Sequence, residues 1–223
     1  MAGGPRGDVR LVTDVPAAFA ELVVAEAPSS IALSGGGTAE ACYQALAATE
    51  GLDWSAVTVV FGDERWVPVD HAESNEGMAR RTLLDHVVPA AVHSMAEAAG
   101  ELHAAARAYA TVIAALAPLQ LVHLGLGPDG HTASLFPGNA SLDEEVALVV
   151  ATGDDDHPHP RLTLTLPAIA GSRLVVVTVA GADKAQAWAR LCEGDGAPAA
   201  RITAERVVWL VDPAAAAGTP DLA

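Results

Sequence analysis

The chain has 223 residues, enough for one substantial α/β domain, and although 51% of them are hydrophobic no apolar run reaches the roughly 20 residues that cross a bilayer. Its formal net charge is -16, from 28 acidic and 12 basic side chains. Such a field repels phosphate backbones and anionic membranes, which argues against nucleic-acid and membrane partners and obliges any anionic ligand to find a local cluster of cations.

Residues 1–10 are Gly-rich and lack the apolar stretch of a secretory signal, so export is not expected, and about the first eight residues read as loose. Apolar runs rich in β-branched residues follow at 9–12, 31–33, 57–61, 119–124, 174–179 and 207–211. Apolar on both faces, they read as buried parallel strands. Helical patterns lie between them. One covers 16–27 behind an Asp14 cap and a second follows Thr38. A third covers 98–116, where Leu102, Ala106, Tyr109, Val112, Ile113 and Leu116 recur at helical spacing before Pro118 stops it.

This alternation predicts an α/β fold: an open, doubly wound, mostly parallel, Rossmann-like sheet with helices on both faces. Ligands of such sheets bind beyond the carboxyl ends of the strands. Thr163 and Thr165 suggest a further strand over 161–166, placed antiparallel at an edge. No linker divides the chain, so residues 1–223 read as a single domain with a loose Ala-rich tail after 212. Cys42 and Cys192 each fall in a predicted helix among alanine and leucine, the setting of reduced thiols in a cytoplasmic protein.

Four turns follow predicted strand ends and should converge on one cleft: 35–38, 62–65, 125–131 and 181–184. The third carries Asp129-Gly130-His131 in a loop bracketed by glycines. Glycine lets the backbone turn tightly and a ligand approach closely, so an imidazole is presented at a strand end, with Thr132 and Ser134 placed to satisfy the donors of a following helical turn. A histidine in a polar loop is ordinarily just solvated, and the motif alone assigns no chemistry. Ser34-Gly35-Gly36-Gly37-Thr38 can point successive backbone N–H groups at an anion, helped by the helix that follows. It is neither a Walker A loop nor GxGxxG, so no nucleotide cofactor is implied.

Lys184 is the only lysine in the chain; its ordinary fate is a solvated ammonium. Asp63-Glu64-Arg65 would ordinarily be a solvated turn, and Ser74-Asn75 suits a helix cap. Asp154-Asp155-Asp156-His157-Pro158-His159 looks superficially like a metal site, but no spaced His or Cys completes a shell, so no metal is expected. His71, His86, His93, His103 and His123 show no partner in the sequence and receive no role.

Taken in order, Ser34-Gly35-Gly36-Gly37-Thr38, Phe61-Gly62-Asp63-Glu64-Arg65-Trp66-Val67-Pro68, Gly125-Leu126-Gly127-Pro128-Asp129-Gly130-His131-Thr132-Ala133-Ser134-Leu135-Phe136-Pro137-Gly138, and Pro160-Arg161-Leu162-Thr163 with Gly181-Ala182-Asp183-Lys184 resemble the 6-phosphogluconolactonases. The resemblance runs from about residue 32 to about 201. It implies hydrolysis of a sugar phosphate lactone in the oxidative pentose phosphate pathway, without a cofactor, by a monomer or weak homo-oligomer. By resemblance His131 is the general base and Asp129 orients or stabilises its ring. Gly35, Gly36, Gly37 and Thr38 form the anion loop; Arg161 and Lys184 hold the phosphate; Arg65 reaches substrate oxygens; Asp63 orders the site. Backbone N–H groups of the glycine loop would receive the oxyanion. Gly37 and Ala39 stand where these lactonases usually carry serine and proline, which removes a hydroxyl from the loop but leaves its backbone donors.

Two other readings remain. Glucosamine-6-phosphate deaminases share an Asp-Gly-His loop, but theirs usually continues Ile-Ala-Phe-Asn-Glu-Pro and their earlier turn reads Asp-Glu-Tyr, whereas here the loop continues Thr-Ala-Ser-Leu-Phe-Pro and the turn reads Asp-Glu-Arg. A catalytically silent sugar-phosphate sensor on the same fold usually brings a DNA-binding segment, and no basic helix-turn-helix is apparent.

Overall fold

The computed structural model describes residues 4–96, 101–153 and 158–219. Ten strands and six helices follow in chain order: β1 (Asp8–Leu11), α1 (Val15–Glu26), β2 (Ser30–Leu33), α2 (Gly37–Ala47), β3 (Thr58–Phe61), β4 (Asp63–Arg65), α3 (Asn75–Ala79), β5 (Ala91–Val92), α4 (Leu102–Leu116), β6 (Leu121–Gly125), β7 (Val149–Thr152), β8 (Arg161–Leu164), α5 (Leu166–Ala170), β9 (Leu174–Val179), α6 (Ala185–Glu193) and β10 (Arg206–Val211). Seven strands form one sheet in the order β1-β10-β9-β6-β2-β3-β5, all paired in parallel. The remaining three make a small antiparallel sheet, β4-β8-β7.

The local reasons are those the residues supply. Ile31 to Leu33, Val59 to Phe61 and Leu174 to Val179 are buried throughout, as strands covered on both faces must be. The Asp14 carboxylate accepts the Ala17 N–H at 2.9 Å and caps α1, whose Phe19 and Val23 enter the core and which packs against α2. Ser74 caps α3 by accepting the Gly77 N–H at 2.9 Å. Cys42 is buried and Cys192 half-buried, both free thiols; burial pushes the Cys42 thiol up to about 12.

One expectation is corrected. The strand over 161–166 is antiparallel but is the middle of the small sheet, not an edge of the large one, because β4 and β7 flank it. The Asp212 carboxylate accepts the Ala215 N–H at 2.6 Å and the Asp212 carbonyl accepts the Ala216 N–H at 3.0 Å, with Ala215 fully buried. Near the start of the described residues, the Arg6 carbonyl accepts the Trp209 indole N–H at 2.8 Å. Of the helix over 98–116, residues 98–100 lie outside the described residues.

His123, given no role above, lies in the middle of β6 with no exposure. Its Nδ1 meets the Tyr43 hydroxyl and its Nε2 the Thr178 hydroxyl, each at 2.9 Å, and its ring stacks on Phe19 with centroids 4.2 Å apart. Burial holds its pKa down at about 3, against an ordinary 6.5, because an imidazolium there would be stripped of water. The unfolded chain therefore binds a proton between these values that the folded chain refuses. The stabilisation is complete above pH 6.5 and is lost as pH falls toward 3, at up to about 1.4 kcal/mol per pH unit. Urea unfolding of the wild type should lose stability more steeply below pH 6.5 than that of His123→Asn. Parallel slopes would mean that His123 is protonated in the fold.

Candidate active site

The four turns do meet. A cavity of about 170 Å³ is lined by Ser34, Gly35, Gly36, Asp63, Arg65, Asn75, Gly125, Leu126, Gly127, His131, Ala133 and Lys184. These residues come from the turns after β2, β6 and β9, from β4, which follows β3 across the single residue Gly62, and from the start of α3.

Loop 125–138 is shaped by its own hydrogen bonds. The Gly127 N–H donates to the His131 carbonyl at 2.8 Å and the Gly130 N–H to the Gly127 carbonyl at 3.0 Å. Gly130 has φ +88, and a Cβ on Gly127 would sit 2.1 Å from the His131 ring, so glycine at 127 is what makes room for the imidazole. No helical turn follows. The Thr132 hydroxyl instead donates back to the Gly125 carbonyl at 2.9 Å, and that of Ser134 to the Asp63 carboxylate at 2.7 Å. Between them Ala133 takes φ 47, a left-handed conformation rare for a residue with a Cβ.

The Asp129 carboxylate receives both the backbone N–H of His131 at 3.1 Å and its Nδ1 at 2.5 Å. An ionised carboxylate only accepts, so Nδ1 is the donor of this pair, and in the neutral imidazole Nε2 is the atom left with the lone pair. Partial burial acts to raise the Asp129 pKa, but the His131 N–H, its ring charge and its Nδ1–H outweigh it and hold the carboxyl below its usual range. The other side of the imidazole packs on Phe136, centroids 4.5 Å apart.

The glycine loop is built for close approach. Gly36 has φ +91 and precedes α2, and a Cβ on Gly35 would strike the Asn75 amide at 1.9 Å. Gly35 and Gly36 line the cavity; Gly37 lines only the neighbouring depression that Arg65 shares, and Thr38 lies one residue further into α2. Behind the loop, the Ser34 N–H donates to the Tyr43 hydroxyl at 2.5 Å. The first cavity residue is thereby tied to the buried Tyr43 and His123.

Asp63-Glu64-Arg65 is a strand, not a solvated turn. Asp63 and Glu64 are buried. Asp63 is held by Ser134 and by the Asn75 side-chain amide, which donates to its carbonyl at 2.9 Å and its carboxylate at 3.2 Å. Glu64 accepts from the N–H groups of Arg65, Asn75 and Glu76 and from the Ser74 hydroxyl, all within 3.0 Å. Burial raises the Glu64 pKa while those donors pull it back. This carboxyl fastens the start of α3 to β4, and with it the Arg65 backbone.

Lys184 reaches the cavity from the turn after β9. Gly181, with φ 99, donates its N–H to the Asp212 carboxylate at 2.9 Å and accepts the Lys184 N–H at 3.0 Å. Arg161 is not among the residues that line this cavity. It stands opposite Arg65 in the antiparallel register, is 7% exposed, and places its guanidinium 5.2 Å from the centre of the Phe136 ring, on which His131 also packs. The sequence reading assigned no individual role to Ser34, Asn75, Gly125, Leu126, Gly127 and Ala133, which also line the cavity. Ser34 and Asn75 lay inside quoted motifs, but Ala133 carries no sequence sign of its conformation.

Residues 9–209 match the profile of the family described as glucosamine-6-phosphate isomerases/6-phosphogluconolactonase. Among curated proteins, the 6-phosphogluconolactonase of Mycobacterium tuberculosis is 43% identical over 95% of this chain and 92% of its own length. The crystal structure of 6-phosphogluconolactonase from Thermotoga maritima superposes with a TM-score of 0.80 at 25% identity, covering 92% of this chain and 99% of that one. A monomeric glucosamine-6-phosphate deaminase gives 0.81 at 22% identity, over 94% and 98%; at that identity the likeness is one of fold. Among the described residues, no helix is long and apolar enough to cross a membrane.

Proposed function

The chain belongs to the glucosamine-6-phosphate isomerase/6-phosphogluconolactonase family, and from that membership we propose that it hydrolyses 6-phospho-D-glucono-1,5-lactone to 6-phosphogluconate, as an oxidative pentose phosphate pathway enzyme. The observation that carries the reading is the imidazole: His131 lines the cavity with Nδ1–H donated to Asp129. Its Nε2 is the free basic atom.

A δ-lactone is an activated ester, so water suffices as nucleophile. Nε2 removes a proton from water as its oxygen attacks C1, forming the tetrahedral intermediate. Collapse breaks the bond from C1 to the ring oxygen, and the imidazolium returns the proton to that oxygen as it leaves. Asp129, close and negative, stabilises the imidazolium between the two transfers. The developing oxyanion meets cavity-lining backbone N–H groups. Lys184 and Arg65, with the Gly35-Gly36 backbone, take the phosphate and sugar oxygens. Arg161 acts from beneath Phe136, adding positive potential and holding the ring against which His131 rests.

The test is direct. Lactone generated by glucose-6-phosphate dehydrogenase should disappear faster with the protein than by spontaneous hydrolysis, and exhaustive chelation with EDTA should leave the acceleration intact. Glucosamine 6-phosphate should yield no ammonia. No acceleration at any protein concentration would sink the lactonase reading.

A further inference from the structure

Outside the cavity, His71, Glu73 and His159 bring one ligand atom each to within 4.8 Å of one another. We propose that they form a three-ligand site for a divalent transition ion of the zinc class. The run over 154–159 showed no partner in sequence because its partners lie far upstream, in the turns between β4 and α3. Residues 154–157 are outside the described residues and the proposed site does not use them.

The three side chains are held from two segments. On one, the His71 N–H donates to the Pro68 carbonyl at 2.9 Å and the Ser74 N–H to the His71 carbonyl at 3.1 Å, so His71 and Glu73 are presented by a folded turn. On the other, His159 precedes β8, and the Trp66 N–H donates to the Pro160 carbonyl at 2.7 Å, which fixes the two segments against each other. His159 Nε2 already lies 2.7 Å from the Glu73 carboxylate. The His71 and His159 rings meet edge to face, centroids 5.4 Å apart and planes at 80°.

Two imidazoles and a carboxylate are the donors zinc prefers, whereas calcium and magnesium take oxygen. Zinc bonds of about 2.0–2.2 Å place tetrahedral donors roughly 3.3 Å apart. The present spread of 4.8 Å closes to that by rotation of side chains, two of which are exposed and one partly so. Water would complete the shell. Binding needs both imidazoles neutral, so the ion competes with protons for them and affinity falls with acid.

The position gives the ion a consequence. The Arg65 guanidinium donates to the Glu73 carbonyl at 2.7 Å, and Arg161 is two residues beyond His159. An ion here would brace the two segments that carry these cations without touching the reacting atoms. It is a clamp on the rim, consistent with turnover that survives chelation.

The experiment uses the full chain, stripped with a chelator and dialysed, titrated calorimetrically with zinc chloride and, separately, with magnesium chloride. Zinc should bind at one ion per chain and magnesium should give no saturable heat. His71→Ala and His159→Ala should each weaken zinc at least tenfold, while His103→Ala, an exposed histidine on α4, should leave it unchanged. Cobalt(II) in place of zinc should show the visible bands of a four-coordinate site, lost in the same two variants. Absence of saturable zinc uptake overturns the proposal. So does uptake indifferent to both substitutions, or magnesium bound as well as zinc. The readout is binding, so it stands or fails independently of the lactonase reading.

Discussion

His131→Ala lowers kcat on the phosphorylated lactone by about 10²–10⁴-fold, the range a positioned general base contributes, and leaves KM within a few fold. The separation of the two constants follows from geometry. His131 meets the Asp129 carboxylate and the Phe136 face, and the substrate's phosphate is assigned to other groups, so its loss removes proton transfer but little ground-state binding. The fold should survive. The loop backbone is closed by the bond from the Gly127 N–H to the His131 carbonyl, which alanine retains, and its thermal unfolding should match wild type. Asp129→Asn should fall between the two enzymes, because an amide still occupies the site but no longer stabilises the imidazolium. A folded alanine variant with near-normal kcat would remove His131 from the mechanism.

The second large effect is on recognition. Lys184→Ala should reduce kcat/KM for 6-phosphogluconolactone by roughly ten- to a hundredfold, as expected for a charge-assisted bond contributing about 1.5 to 3 kcal/mol. Lys184 is 22% exposed in its side chain and, among the described residues, its ionic neighbour is Asp183, at 3.5 Å and itself 75% exposed. That pair is solvated and weak, so the ammonium is available to a dianion. Glucono-δ-lactone without the phosphate supplies the control, since it never makes the contact. Its slower hydrolysis should be nearly unchanged in the variant; equal losses on both substrates would assign Lys184 to the fold or the chemistry.

The large sheet was legible because its strands are unbroken apolar runs, and a run such as Leu174 to Val179 has few ways to be buried except between helices. The cavity was legible for the same reason: strand ends located by pattern locate the turns after them. The small sheet was hidden. β4 reads Asp-Glu-Arg, polar residues that composition assigns to solvent, and only tertiary partners reveal why they are buried: Ser134 and Asn75 for Asp63, and four donors for Glu64. Arg161 was assigned by resemblance alone, since nothing local in its sequence shows that it sits between β4 and β7 with its guanidinium over Phe136. Pairings across long sequence separation, such as His159 with Glu73, leave no local mark at all.

Strand β1 pairs only with β10, Asp8 against Val208. During synthesis, then, β1 leaves the ribosome well before β10, the strand with which its backbone pairs, a delay that exposes most strands to mispairing. This one is suited to wait. It has four residues, carries Asp8 and Arg10, and is mostly exposed even when paired, so a neighbouring nascent chain gains little by docking on it.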